Sequence, residues 1–184
     1  MTGNLDHIKS RMALPAIAAP MFLVSGPQTV ISACKAGAMG SFPGPNARTT
    51  ADLRDWLTAI TTSVTEDDAP WAMNMITHSS YGRFDEELVL VEEFKPALVI
   101  TALGGPHRVT EQVHAYGGRV FADVTSPTFA RKALDKGADG LVLVCAGAGG
   151  HTGQYAMIPF IDEVRSFFDG PLIVGGGIGT GKAI

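Results

Sequence analysis

The chain of 184 residues is 46% hydrophobic and 17% charged, a globular composition that excludes a disordered polypeptide. A formal net charge of −4 gives no electrostatic reason to expect nucleic acid or an anionic membrane as partner, and no apolar run is long enough to span a membrane. Two cysteines make neither a disulfide framework nor a zinc site alone, and the polar segment 1–11 is no secretory signal, so a reduced cytoplasmic protein is expected.

The first candidate strand is the apolar run from Leu14 to Met21, closed near its end by Pro20. A helix is expected over 28–36, with Pro27 at its first turn and Gly37 ending it. The second strand is read at 38–42, and the loop Pro43-Gly44-Pro45-Asn46 follows. Thr50 is the expected cap of a helix whose stripe is Leu53, Trp56, Leu57 and Ile60. Trp71–Ile76 reads as the third strand, with Asn74 the one amide in an apolar run. A helix over 85–94 aligns Leu88, Val91 and Phe94, and the fourth strand is 97–101. Residues 109–116 read as helix and 119–124 as the fifth strand, which nearly ends on Asp123. Ser126-Pro127 opens a helix that stops at Lys136-Gly137. The sixth strand is 138–144, a helix is expected over 160–168, and the seventh strand is 171–174.

Strands alternating with helices imply a parallel sheet covered by helices, and the continuous apolar runs fit strands buried on both faces. An open doubly wound sheet and a (β/α)₈ barrel compete for this pattern. Polar or glycine residues follow the strands at 21–22, 74, 123–125, 149–151 and 175–177. A barrel gathers all of these at one mouth, so the barrel is preferred. The sequence reaches only the loop after the seventh strand. The expectation is therefore one domain over 1–184, an incomplete barrel belonging to a longer polypeptide.

The loop after the sixth strand is Cys145-Ala-Gly-Ala-Gly-Gly-His-Thr-Gly-Gln154, and His151 is its one titratable side chain besides the thiol of Cys145. Histidine on a glycine loop at a strand's C-terminal end is a candidate proton-transfer group. The glycine run 175–181 can cradle a phosphate with backbone N–H groups, as loops after strands seven and eight of barrels commonly do. A Walker A reading fails at Ala183, where a Ser or Thr is required, and a dinucleotide fingerprint fails at Thr152. His7, His78, His107 and His114 show no metal-ligand spacing. Cys145 is read as a small buried residue. Met21 is core by default, with packing against a flat aromatic ligand as the sharper alternative, and Asp123 stays open between a site role and a structural one.

Ala18-Ala19-Pro20-Met21, Asn74, Ala148-Gly149-Gly150-His151-Thr152-Gly153 and Gly175-Gly176-Gly177-Ile178 together resemble the nitronate monooxygenases, formerly 2-nitropropane dioxygenases. The glycine-histidine motif is the specific part; the first and seventh motifs are shared with other flavin barrels, including enoyl reductases. The resemblance implies a (β/α)₈ enzyme with FMN at the barrel mouth. Met21, Phe22 and Leu23 would lie along the isoalloxazine ring, Asn74 would hydrogen-bond it, and Gly149 and Gly150 would pack beside it. Gly176 and Gly177 would hold the phosphate and His151 would be the base. Asp123, where some relatives carry a basic residue, is counted with the cofactor contacts. The implied reaction oxidises alkyl nitronates to a carbonyl compound and nitrite with dioxygen. The alternative is an NAD(P)H-dependent reductase of quinones or enoyl thioesters, and self-association of the chain is left open.

Overall fold

The computed structural model describes residues 3–184, with side chains from Leu5 onward. Seven strands run parallel and pair in sequence order: β1 (Ile17–Ala18), β2 (Met39–Pro43), β3 (Trp71–Ile76), β4 (Leu98–Ala102), β5 (Arg119–Val124), β6 (Gly140–Val144) and β7 (Leu172–Gly175). A doubly wound sheet reverses its strand order at a switch point. This one never does; it curls as a barrel wall, with β1 and β7 as its edges.

Helices α2 (Pro27–Lys35), α3 (Thr50–Ser63), α4 (Phe84–Phe94), α5 (Thr110–Ala115), α6 (Pro127–Asp135) and α7 (Met157–Arg165) connect the strands, and α1 (Gly3–Ser10) precedes them. Strand side chains alternate between the two faces. Trp71, Met73 and Met75 pack outward with Leu53, Leu57 and Ile60 of α3, whereas Ala72 joins an inner cluster with Met39, Leu98, Ile100 and Phe121. Leu141 and Leu143 likewise face outward to Phe160 and Val164 of α7, while Val142 and Ile173 turn inward. Ile8 of α1 packs with Met39 and Leu98, the first residues of β2 and β4, so α1 covers the N-terminal end of the inner core. The same alternation puts Asn74, two residues beyond Ala72, and Asp123, two beyond Phe121, on the inner face at the strands' C-terminal ends.

Several expectations need correction. The first strand is two residues long, not eight, because Pro15 and Pro20 lack the N–H groups a longer ladder needs. Met21 is consequently outside the core, at 43% exposure. The cap of α3 is Thr49, not Thr50: Thr49 accepts from the Asp52 N–H at 3.0 Å and Asp52 accepts from the Thr49 N–H at 3.0 Å, a reciprocal box that needs an acid three residues on. Helix α7 starts at Met157, three residues early, since Pro159 falls in the first turn where its missing N–H costs nothing, and it ends at Arg165. On α4 the buried face is Phe84, Glu87, Leu90 and Val91 in place of Leu88 and Phe94. Glu87 can be fully buried because Arg83 and Tyr81 pair with it. The 43–46 loop contains a 3-10 turn, Gly44–Asn46.

Candidate active site

In a parallel barrel the C-terminal strand ends share one mouth, where the connecting loops can converge on a ligand. Every expected site residue lies at that end, on the strands' last turns or the loops after them. The cleft lined by Arg11, Thr61, Trp71 and Phe94 is at the opposite end and includes none of them.

The floor of the mouth is Asn74 and Asp123. Asn74 is 8% exposed; its Nδ2 donates to the Ile100 carbonyl at 3.2 Å and makes a long 3.5 Å contact to Asp123 Oδ2. Its Oδ1 accepts no hydrogen bond from the described residues. Asp123 keeps a narrow opening to solvent, yet the surrounding protein removes most of its hydration. That desolvation pushes its carboxyl up to about 7, against a smaller lowering by the Asn74 amide. Near neutral pH this acid can therefore donate a hydrogen bond as well as accept one.

One rim of the mouth is the loop after β1. Met21, Phe22, Leu23 and Val24 are 43%, 65%, 64% and 66% exposed, a continuous apolar ledge, and Leu23 is left-handed at φ +62°. The loop closes on itself: the Ser25 and Val24 N–H groups donate to the Met21 carbonyl at 2.9 and 3.2 Å. Ser25 Oγ accepts from the Met21 N–H at 3.0 Å and donates to the Ala19 carbonyl at 3.1 Å.

The loop after β6 is closed differently. The Ala146 N–H donates to the Tyr155 carbonyl at 2.8 Å, and the Thr152 hydroxyl donates to the Cys145 carbonyl at 3.3 Å. Gly153 folds back on the strand end so tightly that a Cβ there would sit 2.0 Å from the Val144 carbonyl oxygen. Gly149 and Gly150 have open space where a Cβ would be, so nothing in the chain itself requires them to be glycine. His151, at the tip between these glycines and Gly153, is exposed and makes no hydrogen bond or ion pair with the described residues. Cys145, at the loop's root, is fully buried.

The β7 loop packs against the β6 loop. A Cβ on Gly147 would lie 3.6 Å from Gly176 C and Gly177 N, and Gly177 holds φ +76°, a conformation that favours glycine. The Cys145 N–H donates to the Gly175 carbonyl at 2.8 Å, fixing the two strand ends together. The expected residues thus fall into three groups: Met21, Phe22 and Leu23 on one rim, Asn74 and Asp123 on the floor, and Gly149, Gly150 and His151 with Gly176 and Gly177 on the other rim. Sequence reading passed over Ser25 and Asn46. Ser25 stands before Gly26-Pro27 at a helix entry, a weak signal of a bonded turn; Asn46 closes a Pro-Gly-Pro-Asn turn and carried no further sign.

Residues 55–184 match the family described as nitronate monooxygenase. Over 170 residues the chain is 26% identical to the (3aS,4S,5R,7aS)-5-hydroxy-7a-methyl-1-oxo-octahydro-1H-indene-4-carboxyl-CoA dehydrogenase of Rhodococcus jostii, covering 92% of this chain and 46% of that protein. The enzyme of the same name from Mycobacterium tuberculosis is 25% identical over 173 residues, with 92% and 47% covered. The chain spans about half the length of these curated relatives. Among solved structures, FabK from Thermotoga maritima superposes with a TM-score of 0.81 at 24% identity, covering 99% of this chain and 55% of that one. A nitroalkane oxidase from Streptomyces ansochromogenes superposes with a TM-score of 0.80 at 19% identity, covering 91% and 60%. At these identities the superpositions establish the fold, and the family match establishes the lineage: the chain belongs to the nitronate monooxygenase family of flavin-dependent oxidoreductases.

Proposed function

We propose that the protein acts as an FMN-dependent oxidase of alkyl nitronates, converting them with dioxygen to a carbonyl compound and nitrite. The observation that carries this reading is the placement of His151, unpaired and exposed, at the tip of a glycine loop on the mouth of a barrel of this family. The residues present suit a flavin. The ledge Met21–Leu23 offers an apolar bed for a flat ring. Asn74 Oδ1, without a partner among the described residues, is an acceptor for a ring N–H, and Asp123 adds a donor or acceptor on the same floor. The open sides of Gly149 and Gly150 let a ring edge approach the backbone. Gly176 and Gly177 present N–H groups that find no acceptor among the described residues, suited to a phosphate.

A bound FMN supplies the electron-transfer chemistry. The chain supplies the rest. His151 takes the α-proton of a neutral nitroalkane, leaving the nitronate, and in its protonated form holds that anion by charge. Phe22 and Leu23 keep water from the ring face they cover. The described residues include no helix long and apolar enough to cross a membrane.

A second reading is favoured by the CoA-thioester relatives and by the likeness to FabK: an FMN-dependent NAD(P)H reductase of enoyl thioesters or quinones. The same mouth serves it. The two separate when protein reconstituted with FMN is photoreduced without oxygen and then mixed with each acceptor. Reoxidation only by dioxygen, with nitrite formed in aerobic turnover of nitronate, supports the first. Rapid reoxidation by a quinone or enoyl thioester, with reduction by NAD(P)H, replaces it with the second.

A further inference from the structure

The apolar ledge at 21–24 is held from another βα unit. Asn46, 8% exposed in the 3-10 turn after β2, donates from Nδ2 to the Met21 carbonyl at 2.9 Å and to the Ser25 carbonyl at 2.7 Å, and its Oδ1 accepts from the Leu23 N–H at 3.0 Å. One side-chain amide therefore uses both its donors and its acceptor on three backbone groups of a single loop. The Leu23 bond falls on the residue with φ +62°, and a leucine keeps such a backbone only where its surroundings enforce it. The turn that carries Asn46 is fixed in its own right. Arg83 donates to the carbonyls of Gly44 at 3.2 Å and of Ala47 and Arg48 at 2.8 Å, and Arg83 is itself held by the fully buried Glu87 and by the contact of Glu87 with Tyr81 at 2.6 Å.

We propose that Asn46 is the positioning residue of the candidate site: its side-chain amide holds the 21–25 loop in the strained turn that presents Met21–Val24 as a flat apolar ledge for the cofactor ring. The cofactor half of this statement rests on the flavin reading above; the clamp half stands on the geometry alone. Asparagine is specific here. A carboxylate of the same shape would face the Met21 and Ser25 carbonyls with oxygen instead of N–H, and alanine would leave the Leu23 N–H and the Ser25 carbonyl without this partner and the Met21 carbonyl with only the bonds inside its own loop.

The test compares wild type with Asn46→Asp, the milder Ser25→Ala, and Val164→Ala as a control that destabilises the distant α7 packing. Amide hydrogen exchange at Leu23 and Ser25 is measured without cofactor, and FMN affinity and the visible circular dichroism of the bound flavin are measured separately. The expected result is exchange at Leu23 faster by about 10-fold in Asn46→Asp and by a smaller factor in Ser25→Ala, with FMN binding weaker by about 10-fold in Asn46→Asp and its dichroism altered. Val164→Ala should leave Leu23 exchange, FMN affinity and the dichroism near wild type even where its unfolding midpoint drops further. Unchanged Leu23 exchange in Asn46→Asp overturns the clamp, and faster exchange there with unaltered FMN affinity and dichroism overturns its role for the cofactor. Should Asn46→Asp fail to fold, Asn46→Ala, which removes the same three bonds without adding a charge, decides by the same readouts. Failure of the wild type to bind FMN would reject the flavin reading, while the exchange result still decides the clamp.

Discussion

The loops on the two rims of the mouth reach fixed shapes by different means. The 21–25 loop has no glycine; besides its own bonds to the Met21 carbonyl and through Ser25, the Asn46 side chain from another βα unit holds its backbone against the preference of Leu23. The 146–155 loop has four glycines and is closed by its own backbone, with Gly153 pressed on Val144 and Ala146 bonded to Tyr155. The first is a rigid apolar surface suited to binding a ring. The second is anchored at its root and free at its tip, where His151 sits, which suits a group that must approach and leave a substrate.

The largest effect expected from this contrast is at the root of the second loop. Gly153→Ala places a Cβ at 2.0 Å from the Val144 carbonyl oxygen, so strand end and loop must separate. Loss of stability on the order of 4 kcal/mol in urea unfolding is expected, with loss of FMN binding. A fully stable Gly153→Ala protein would show that the loop is not anchored there.

Between the rims lies the floor, and it predicts a pH dependence. The folded Asp123 carboxyl is pushed up to about 7 from the ordinary 3.8, so between these values the folded protein holds a proton that the unfolded chain has released. Stability from this group is complete below the lower value and is lost as pH rises through the upper one. Asp123→Asn removes that loss. Its advantage over wild type in cofactor-free unfolding should be near zero at pH 4 and roughly 4 kcal/mol at pH 8. A difference independent of pH would mean that the carboxyl is well hydrated.

The smallest effect is the complement of the first. Gly149→Ala meets open space, so cofactor-free stability should change by no more than about 0.5 kcal/mol. A fall in FMN affinity without a fall in stability would then be the sign of a ring edge against that backbone, and an unchanged affinity would place the ring elsewhere.

How much of this was legible in the sequence follows from the range of the forces involved. β3 and β5 lie at the residues expected, since each is an apolar run with clear punctuation on both sides. The mouth's residues could be named because glycine, histidine and a lone amide in an apolar strand are local signals. Asn46 could not: its partners are backbone groups 21–25 residues earlier, and a carbonyl carries no label in the sequence. Nor could the register of α4, which turns on a buried Glu87 that is tolerable only because Arg83 and Tyr81 meet it. Helix α1 went unread because two apolar residues, Leu5 and Ile8, make a face too narrow to stand out without the barrel end it covers.

The account's central claim, that His151 is the base of a nitronate-oxidising site, is tested most directly by oxygen consumption of FMN-reconstituted wild type and His151→Asn on a nitroalkane and on its preformed nitronate. A nitronate has already lost the proton that a base would remove. Turnover of the neutral nitroalkane should fall by roughly 10²–10⁴-fold, with far less loss on the nitronate and unchanged FMN content. Equal losses on the two forms, or no loss on either, would contradict it.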